Sequence, residues 1–277
     1  MVPRALTIAG SDCSGGAGIQ ADLKTFTVFD VYGMSAITAL TAQNTLGVSE
    51  IFPVPAEFVR RQIDAVVTDI GVDAAKTGML ANRAIIAAVA AAVREHRIDR
   101  LVVDPVIVAQ SGASLLEPQA RAALRDELLP LAMVATPNAP EAAELLGMSV
   151  QTVADLREAA RRIVRLGARA ALVKGGHLVD GDAVDVLVDG AEIHELRAAR
   201  IATAHTHGTG CVLSAAITAG LARGRPLIDA VAAAKRFISR AIAAGLAIGK
   251  GNGPVNPMAG PEEVDSSESR VDSRSKS

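Results

Sequence analysis

Tryptophan is absent from this chain, and aromatic residues of all kinds make up only 2% of its 277 positions. The core cannot rest on large rings; Ala, Val, Leu and Ile must fill it, which suits helices laid closely on a sheet. Neither sign of charge is in excess, since 28 basic and 30 acidic residues leave a formal net charge of −2. That balance argues against nucleic acid or an anionic membrane surface as the main partner. Cysteine is scarce as well. Cys13 and Cys211 stand far apart and form no disulfide or metal-ligand pattern, so a reducing cytoplasm is the expected compartment. No run of roughly 18 residues is both apolar and uncharged, the length a membrane span needs. Met1 to Arg4 leads straight into a strand-like segment, with no basic-then-apolar leader.

Half of the residues are hydrophobic, and they fall into a regular order. Short apolar runs at Ala5–Ala9, Ser35–Leu40, Leu101–Val103, Met133–Ala135 and Ala170–Val173 predict strands. Helix-period segments near Gly18–Phe29, Ala56–Asp69, Asn82–His96, Pro118–Leu128 and Val153–Leu166 lie between them. Continuously apolar strands separated by helices imply a mostly parallel sheet covered on both faces, an α/β fold. Asp189-Gly190 between Ala183–Val188 and Glu192–Leu196 predicts a hairpin, and two long helices follow at Thr209–Ala222 and Leu227–Gly249. No linker interrupts this order, so residues 1–258 read as one domain. The stretch 259–277 is polar and charged, a composition that predicts a disordered tail.

In an open parallel sheet, ligands bind beyond the carboxyl ends of the strands. Asp12 with Gly15, Gly16 and Gly18, then Gln43 and Asn44, Asp104-Pro105, Thr136-Pro137-Asn138 and Lys174-Gly175-Gly176-His177 all follow such ends. The first glycine cluster is either a phosphate loop or a tight turn; it lacks the Lys-Ser/Thr of a P-loop. Asn138 and Glu141 share a helix face at a predicted helix start. They either cap that helix or organise a hydrated Mg²⁺ beside a nucleotide. Lys174 either faces solvent or faces a phosphate.

The strongest local signal is His205-Thr206-His207-Gly208-Thr209-Gly210-Cys211, which opens a helix. A glycine turn there presents unpaired N–H groups backed by the positive end of the helix dipole, an anion site suited to a transferring phosphoryl group. Cys211 lies in the first turn, where a thiol pKa near ~8.5 can fall, so it could act as a base; otherwise it is a small packed residue. His205 and His207 alternate like zinc ligands, but no further ligands keep the spacing.

These residues carry a family resemblance. Ile8-Ala9-Gly10-Ser11-Asp12, Ser14 to Thr25, Ile37 to Thr45, Lys76 to Leu80, Thr136-Pro137-Asn138, Val173 to His177, the His-Gly-Thr-Gly-Cys segment and Gly249 to Val255 resemble the bacterial hydroxymethylpyrimidine/phosphomethylpyrimidine kinases of thiamine biosynthesis. The likeness runs in order over about residues 4–258. It implies a three-layer α/β/α ribokinase-like fold, with ATP as co-substrate and Mg²⁺ as cofactor. It also implies two successive phosphorylations, first of 4-amino-5-hydroxymethyl-2-methylpyrimidine and then of its monophosphate.

By the same resemblance, Gly10, Asp22, Gln43, Met79, Val106 and Cys211 line the pyrimidine pocket. Lys174, Asn138 and Thr209 face the nucleotide, Asp104 and Glu141 surround the metal, and Gly208, Thr209 and Gly210 form the anion hole. Cys211 holds the position where most sugar kinases of the superfamily carry an Asp base. Gln43 can both donate to and accept from an aminopyrimidine edge, although some relatives have Glu there. Cys13 stands where the pattern often has Pro. The resemblance further implies a homodimer, with Gln110 to Ser114 polar enough for a flap over the site. Two other readings stay open. One is a pyridoxal/pyridoxine kinase, whose related branch places a second cysteine in the stretch corresponding to Val106–Gly112, where this chain has none. The other is a silent ligand sensor, against which Lys174, Glu141 and Cys211 speak.

Overall fold

The computed structural model describes residues 1–109, 112–178 and 181–260. The predicted apolar runs become β1 (Arg4–Asp12), β2 (Tyr32–Asn44), β5 (Leu101–Val103), β6 (Val134–Ala135) and β7 (Ala170–Val173). The hairpin is β8 (Ala183–Asp189) and β9 (Glu192–Ala198). Two further strands, β3 (Gly47–Pro53) and β4 (Ala74–Thr77), complete a nine-stranded sheet in the order β3-β2-β1-β4-β5-β6-β7-β8-β9. The inner strands β2, β1, β4, β5, β6 and β7 run parallel, while β3 on one edge and β8 and β9 on the other pair antiparallel.

Strand side chains alternate between two cores, and that alternation makes three layers. Leu6, Ile8, Leu101, Val103, Ala171 and Val173 enter one core with α2 (Ala56–Asp69), α3 (Arg83–Glu95), α5 (Ala139–Leu146) and α6 (Val153–Arg165). Ala5, Val102, Val134, Ala170 and Leu172 enter the other with α1 (Gly18–Val28), α7 (Thr209–Ala222) and α8 (Leu227–Ala243). The few rings are used sparingly: Phe29 and Phe237 meet edge to face with centroids 4.9 Å apart and pin α1 to α8.

Helix starts follow their caps. Asn82 accepts from Ile85 N–H, and Thr152 with Asp155 forms a capping box at α6. Two predicted helices are modified. Pro118–Leu128 becomes a short α4 (Ala120–Ala123), a π turn over Leu124–Leu128 and a 3₁₀ turn over Leu129–Leu131, where Pro130 removes a donor. Helix α8 stops at Ala243 rather than Gly249, because glycines take over and the chain doubles back: Leu246 N–H bonds Pro254 O, and Val255 N–H bonds His207 O. Ala259 and Gly260 remain attached to the body, with Ala259 in a 3₁₀ turn and Arg240 donating to Gly260 O. The rest of the expected tail, 261–277, lies outside the described residues, as do Gln110 and Ser111 of the expected flap.

Candidate active site

The parallel strands end on one edge, and their polar residues converge there. Asp104, which follows β5, is buried. Lys174 Nζ lies 3.1 Å from its Oδ1, Thr136 Oγ1 donates to the same oxygen at 3.3 Å, and Ser214 Oγ of α7 donates to Oδ2 at 3.1 Å. Burial alone would raise the Asp104 pKa, but the charges of Lys174 and Lys76 outweigh it and hold the carboxyl below its ordinary value. Lys174 keeps its proton for the complementary reason: burial opposes the charge, while Asp104 and Glu141 more than restore it.

Asn138 and Glu141 do cap α5. Asn138 Oδ1 accepts from Glu141 N–H and Glu141 Oε2 accepts from Asn138 N–H, each at 2.8 Å. The capping box also fixes Glu141 beside Asp104 and Lys174. Burial raises the Glu141 pKa to about 7, with the Asp104 charge adding to the rise and Lys174 opposing it.

Gly208 sits at φ +81°, where a side chain would overlap the Gly16 carbonyl oxygen, so the turn into α7 demands glycine. The first helical bond runs from Val212 N–H to Gly208 O. Thr209 is less available than the glycine turn suggested, because its N–H and its Oγ1 both donate to Thr206 O. Gly210 faces the charged cluster: a Cβ there would lie 3.3 Å from Lys174 Nζ and 3.6 Å from Asp104 Oδ2.

Cys211 stands against the sequence expectation. Burial pushes its thiol up to about 11, although the positive charge of Lys76 and an N–H bond from Gly18 pull the other way. Desolvation therefore outweighs the helix terminus in the free protein.

Gly10 and Met79 pack against each other: a Cβ on Gly10 would lie 3.0 Å from Met79 Sδ. Val106 is half-buried in the turn after Asp104. Gln43 sits near the end of β2, where its Nε2 lies 3.3 Å from His207 Nε2 and its carbonyl oxygen accepts from Cys13 Sγ at 3.1 Å. A small pocket opens there, lined in part by Gln43, Thr45, Ala109, His207 and Asn252. Asp22 is placed differently from the other residues expected to line the pyrimidine. It is fully buried, with Lys76 Nζ 2.7 Å from Oδ1 and Thr7 Oγ1 2.6 Å from Oδ2.

Two features escaped the sequence reading. Lys76 on β4 is completely buried at the site's floor. His207 pairs with Asp12 at 2.8 Å and clasps the end of β1 to the turn before α7. The first lies in a four-residue strand too short to stand out, and its partner Asp22 is 54 positions away. The second contact spans 195 positions and left no local signal.

A sheet edge that joins a lysine and two buried carboxylates to a glycine-opened helix defines a small-molecule kinase of ribokinase-like architecture. The family model described as phosphomethylpyrimidine kinase matches residues 12–256, and the chain belongs to that family of phosphotransferases. It is 54% identical over 259 residues to the hydroxymethylpyrimidine/phosphomethylpyrimidine kinase of Rhizobium meliloti, covering 92% of this chain and 97% of that protein. It is 53% identical to the thiamine biosynthesis bifunctional protein ThiED of Geobacter sulfurreducens over 94% of this chain, but spans only 53% of that longer protein. Among solved structures, an ADP complex of Bacillus subtilis pyridoxal kinase matches with a TM-score of 0.88 and 44% identity, covering 94% of this chain and 98% of the other. Among the described residues, no helix is long and apolar enough to cross a membrane.

Proposed function

We propose that this protein phosphorylates the hydroxymethyl group of 4-amino-5-hydroxymethyl-2-methylpyrimidine with ATP, and then phosphorylates the monophosphate. The observation that carries this reading is the cluster of Lys174, Asp104 and Glu141 gathered against the glycine turn that opens α7. By the family pattern Gly10, Met79, Val106 and Gln43 would line the pyrimidine, with Gly10 packed against Met79 and the Gln43 amide beside His207. Asp22, fully buried, would support that lining. The acceptor hydroxyl would sit at the α7 N-terminus, where the Gly210 and Cys211 N–H groups precede the first helical bond and can stabilise charge on the γ-phosphoryl group. Thr209, with its donors turned inward, would hold the turn's shape.

Mg²⁺ suits the donor set. Two carboxylates, Asp104 and Glu141, match an ion that takes one or two such ligands plus phosphate oxygens and water. No larger His, Cys, Asp or Glu cluster exists among the described residues. When bound, the ion would neutralise phosphate charge; Lys174 would orient the phosphates, and Asn138 would keep Glu141 in place. Cys211, acting as the thiolate, would accept the proton of the acceptor hydroxyl; the thiolate is a minor form in the free protein, whose thiol has a pKa of about 11.

The deciding experiment supplies ATP, Mg²⁺ and either the hydroxymethylpyrimidine or pyridoxal, with ³¹P NMR separating mono- from diphosphate product. Sequential appearance of both pyrimidine phosphates is expected. A higher kcat/KM for pyridoxal would replace this reading with a pyridoxal kinase, the activity named for a structural neighbour at 44% identity. ATP-independent pyrimidine binding without any ADP release would mark a sensor. The proposed setting is cytoplasmic, in keeping with two unpaired thiols. A homodimer is proposed on the exposed edge hairpin, where Leu40 and Phe52 lie directly opposite one another on β2 and β3. Sedimentation should return twice the 28.4 kDa chain mass, and a monomer would remove the proposal.

A further inference from the structure

Lys76 lies at the site's floor, and the catalytic reading leaves it without a task. Its side chain and that of Asp22 are both 0% exposed, so neither substrate nor phosphate can touch the ammonium. An isolated buried ammonium would shed its proton, but the nearby negative groups, Asp22 at 2.7 Å first, hold Lys76 charged. Burial raises the pKa of the Asp22 carboxyl, while Lys76 and the Thr7 bond favour its anion; the short contact is that of a charged pair. The pair is fixed from three sides. Thr7 of β1, directly opposite Lys76 in the parallel ladder, bonds Asp22 Oδ2; Asp22 itself comes from α1; α7 packs across β1, β4 and β5 above them. Cys211 lies in the first turn of that helix, with Gly18 N–H bonded to its sulfur from the α1 side. The charged groups acting on this sulfur are Lys76 from β4, Asp22 from α1, Asp104 from the end of β5 and Lys174 from the end of β7, with Glu141 of α5 behind Lys174. Lys174 and Asp104 face the nucleotide. Lys76 is the cation that stays put.

We propose that Lys76 is a positioning residue for phosphoryl transfer: its immobile ammonium, anchored by Asp22, is the counter-charge that lets the Cys211 sulfur carry negative charge at the transfer point. The inference rests on the kinase reading with Cys211 beside the acceptor. In the step it serves, the acceptor O–H bond breaks and its proton forms an S–H bond with the Cys211 thiolate. The acceptor oxygen bonds the γ-phosphorus as the bond to ADP breaks, and ADP leaves with that electron pair. The thiol then returns its proton to solvent. The burial that favours the neutral thiol is opposed most strongly by Lys76.

The test reads the sulfur directly, so it does not need turnover. In a Cys13→Ser background, the rate of Cys211 alkylation by iodoacetamide at pH 8 is compared for Lys76→Met and Asp22→Asn. Removing the cation should slow alkylation roughly tenfold, one pKa unit's worth of thiolate, while removing the anion should speed it. Opposite signs are the signature. Loosened packing would expose the thiol and speed both variants, and a common sign or two unchanged rates would overturn the proposal. Lys76→Met should also lower kcat with little change in KM for ATP; an unchanged kcat would sink the role even if alkylation slowed. Breaking a buried pair can prevent folding. If Lys76→Met does not fold, Lys76→Gln takes its place beside Asp22→Asn, and rates that do not move in opposite directions overturn the proposal. Failure of the wild-type protein to phosphorylate the pyrimidine would instead count against the proposed substrate, whatever the alkylation rates.

Discussion

Two lysine–aspartate pairs flank Cys211, Lys174–Asp104 at 3.1 Å and Lys76–Asp22 at 2.7 Å. Their chemistry is the same and their surroundings differ. Lys174 keeps 12% of its side chain exposed just past the end of β7, open to the crevice. Lys76 is sealed inside β4 and can exchange Asp22 for nothing. One pair is open to the crevice, and the other is a sealed part of the floor. Position within the strand sets the difference. A lysine just past a strand's carboxyl end reaches the crevice, whereas one inside the strand is covered by the helix layer. Charge count alone would have treated the two as equivalent.

Variants at the sulfur and at the open pair should separate the roles most sharply. Cys211→Ala should lower kcat by roughly 10²–10⁴-fold, the usual contribution of a positioned acid or base, and leave ATP binding nearly intact. Full activity in that variant would assign the step to the anion hole alone. Lys174→Met should act on the nucleotide instead, reducing kcat/KM for ATP roughly 10–100-fold through loss of a charge-assisted contact, with KM for the pyrimidine little changed. Steady-state kinetics with each substrate varied in turn reads both. If Lys174→Met altered only the pyrimidine constant, the nucleotide and pyrimidine roles would have to be reassigned.

The open pair was readable from sequence, and the sealed pair was not. Lys174 ends a four-residue apolar strand and precedes two glycines, so its place beyond the sheet edge follows from the strand rule. Asn138 and Glu141 showed their capping geometry in their spacing, because a helix start brings residues three apart together. Strand β4 offers only Ala74-Ala75-Lys76-Thr77, too short and too polar to stand out by periodicity, and its lysine reads as a surface residue until a partner is known. That partner is 54 residues away on α1. The rise in the Cys211 pKa was hidden for a related reason: helix position is local and legible, while desolvation depends on every layer packed around the sulfur. The edge strand β3 escaped because its alternation is weak and a half-exposed strand carries little apolar signal.

A third pair, His207–Asp12, sharpens the comparison because it ties the end of β1 to the turn before α7. Asp12 Oδ1 accepts from Ser14 N–H at 2.8 Å and Ser14 Oγ at 2.7 Å, while Oδ2 lies 2.8 Å from both Ala17 N and His207 Nε2. Burial alone would raise its pKa, but the bonds from His207 and Ser14 prevail and bring it from 3.8 down to about 2. A carboxylate whose pKa falls on folding stabilises the protein fully above its unfolded value and loses that contribution as pH drops through the folded one. The shift corresponds to about 2 kcal/mol at 1.36 kcal/mol per unit, less than the ~3–5 kcal/mol expected for breaking the sealed Lys76–Asp22 pair. Asp12→Asn should therefore cost about 2 kcal/mol in urea unfolding at pH 7, and the deficit should shrink as pH falls from about 4 towards 2. A deficit that stayed constant over that range would mean that Asp12 acts by shape, through the loop's hydrogen bonds, rather than by charge.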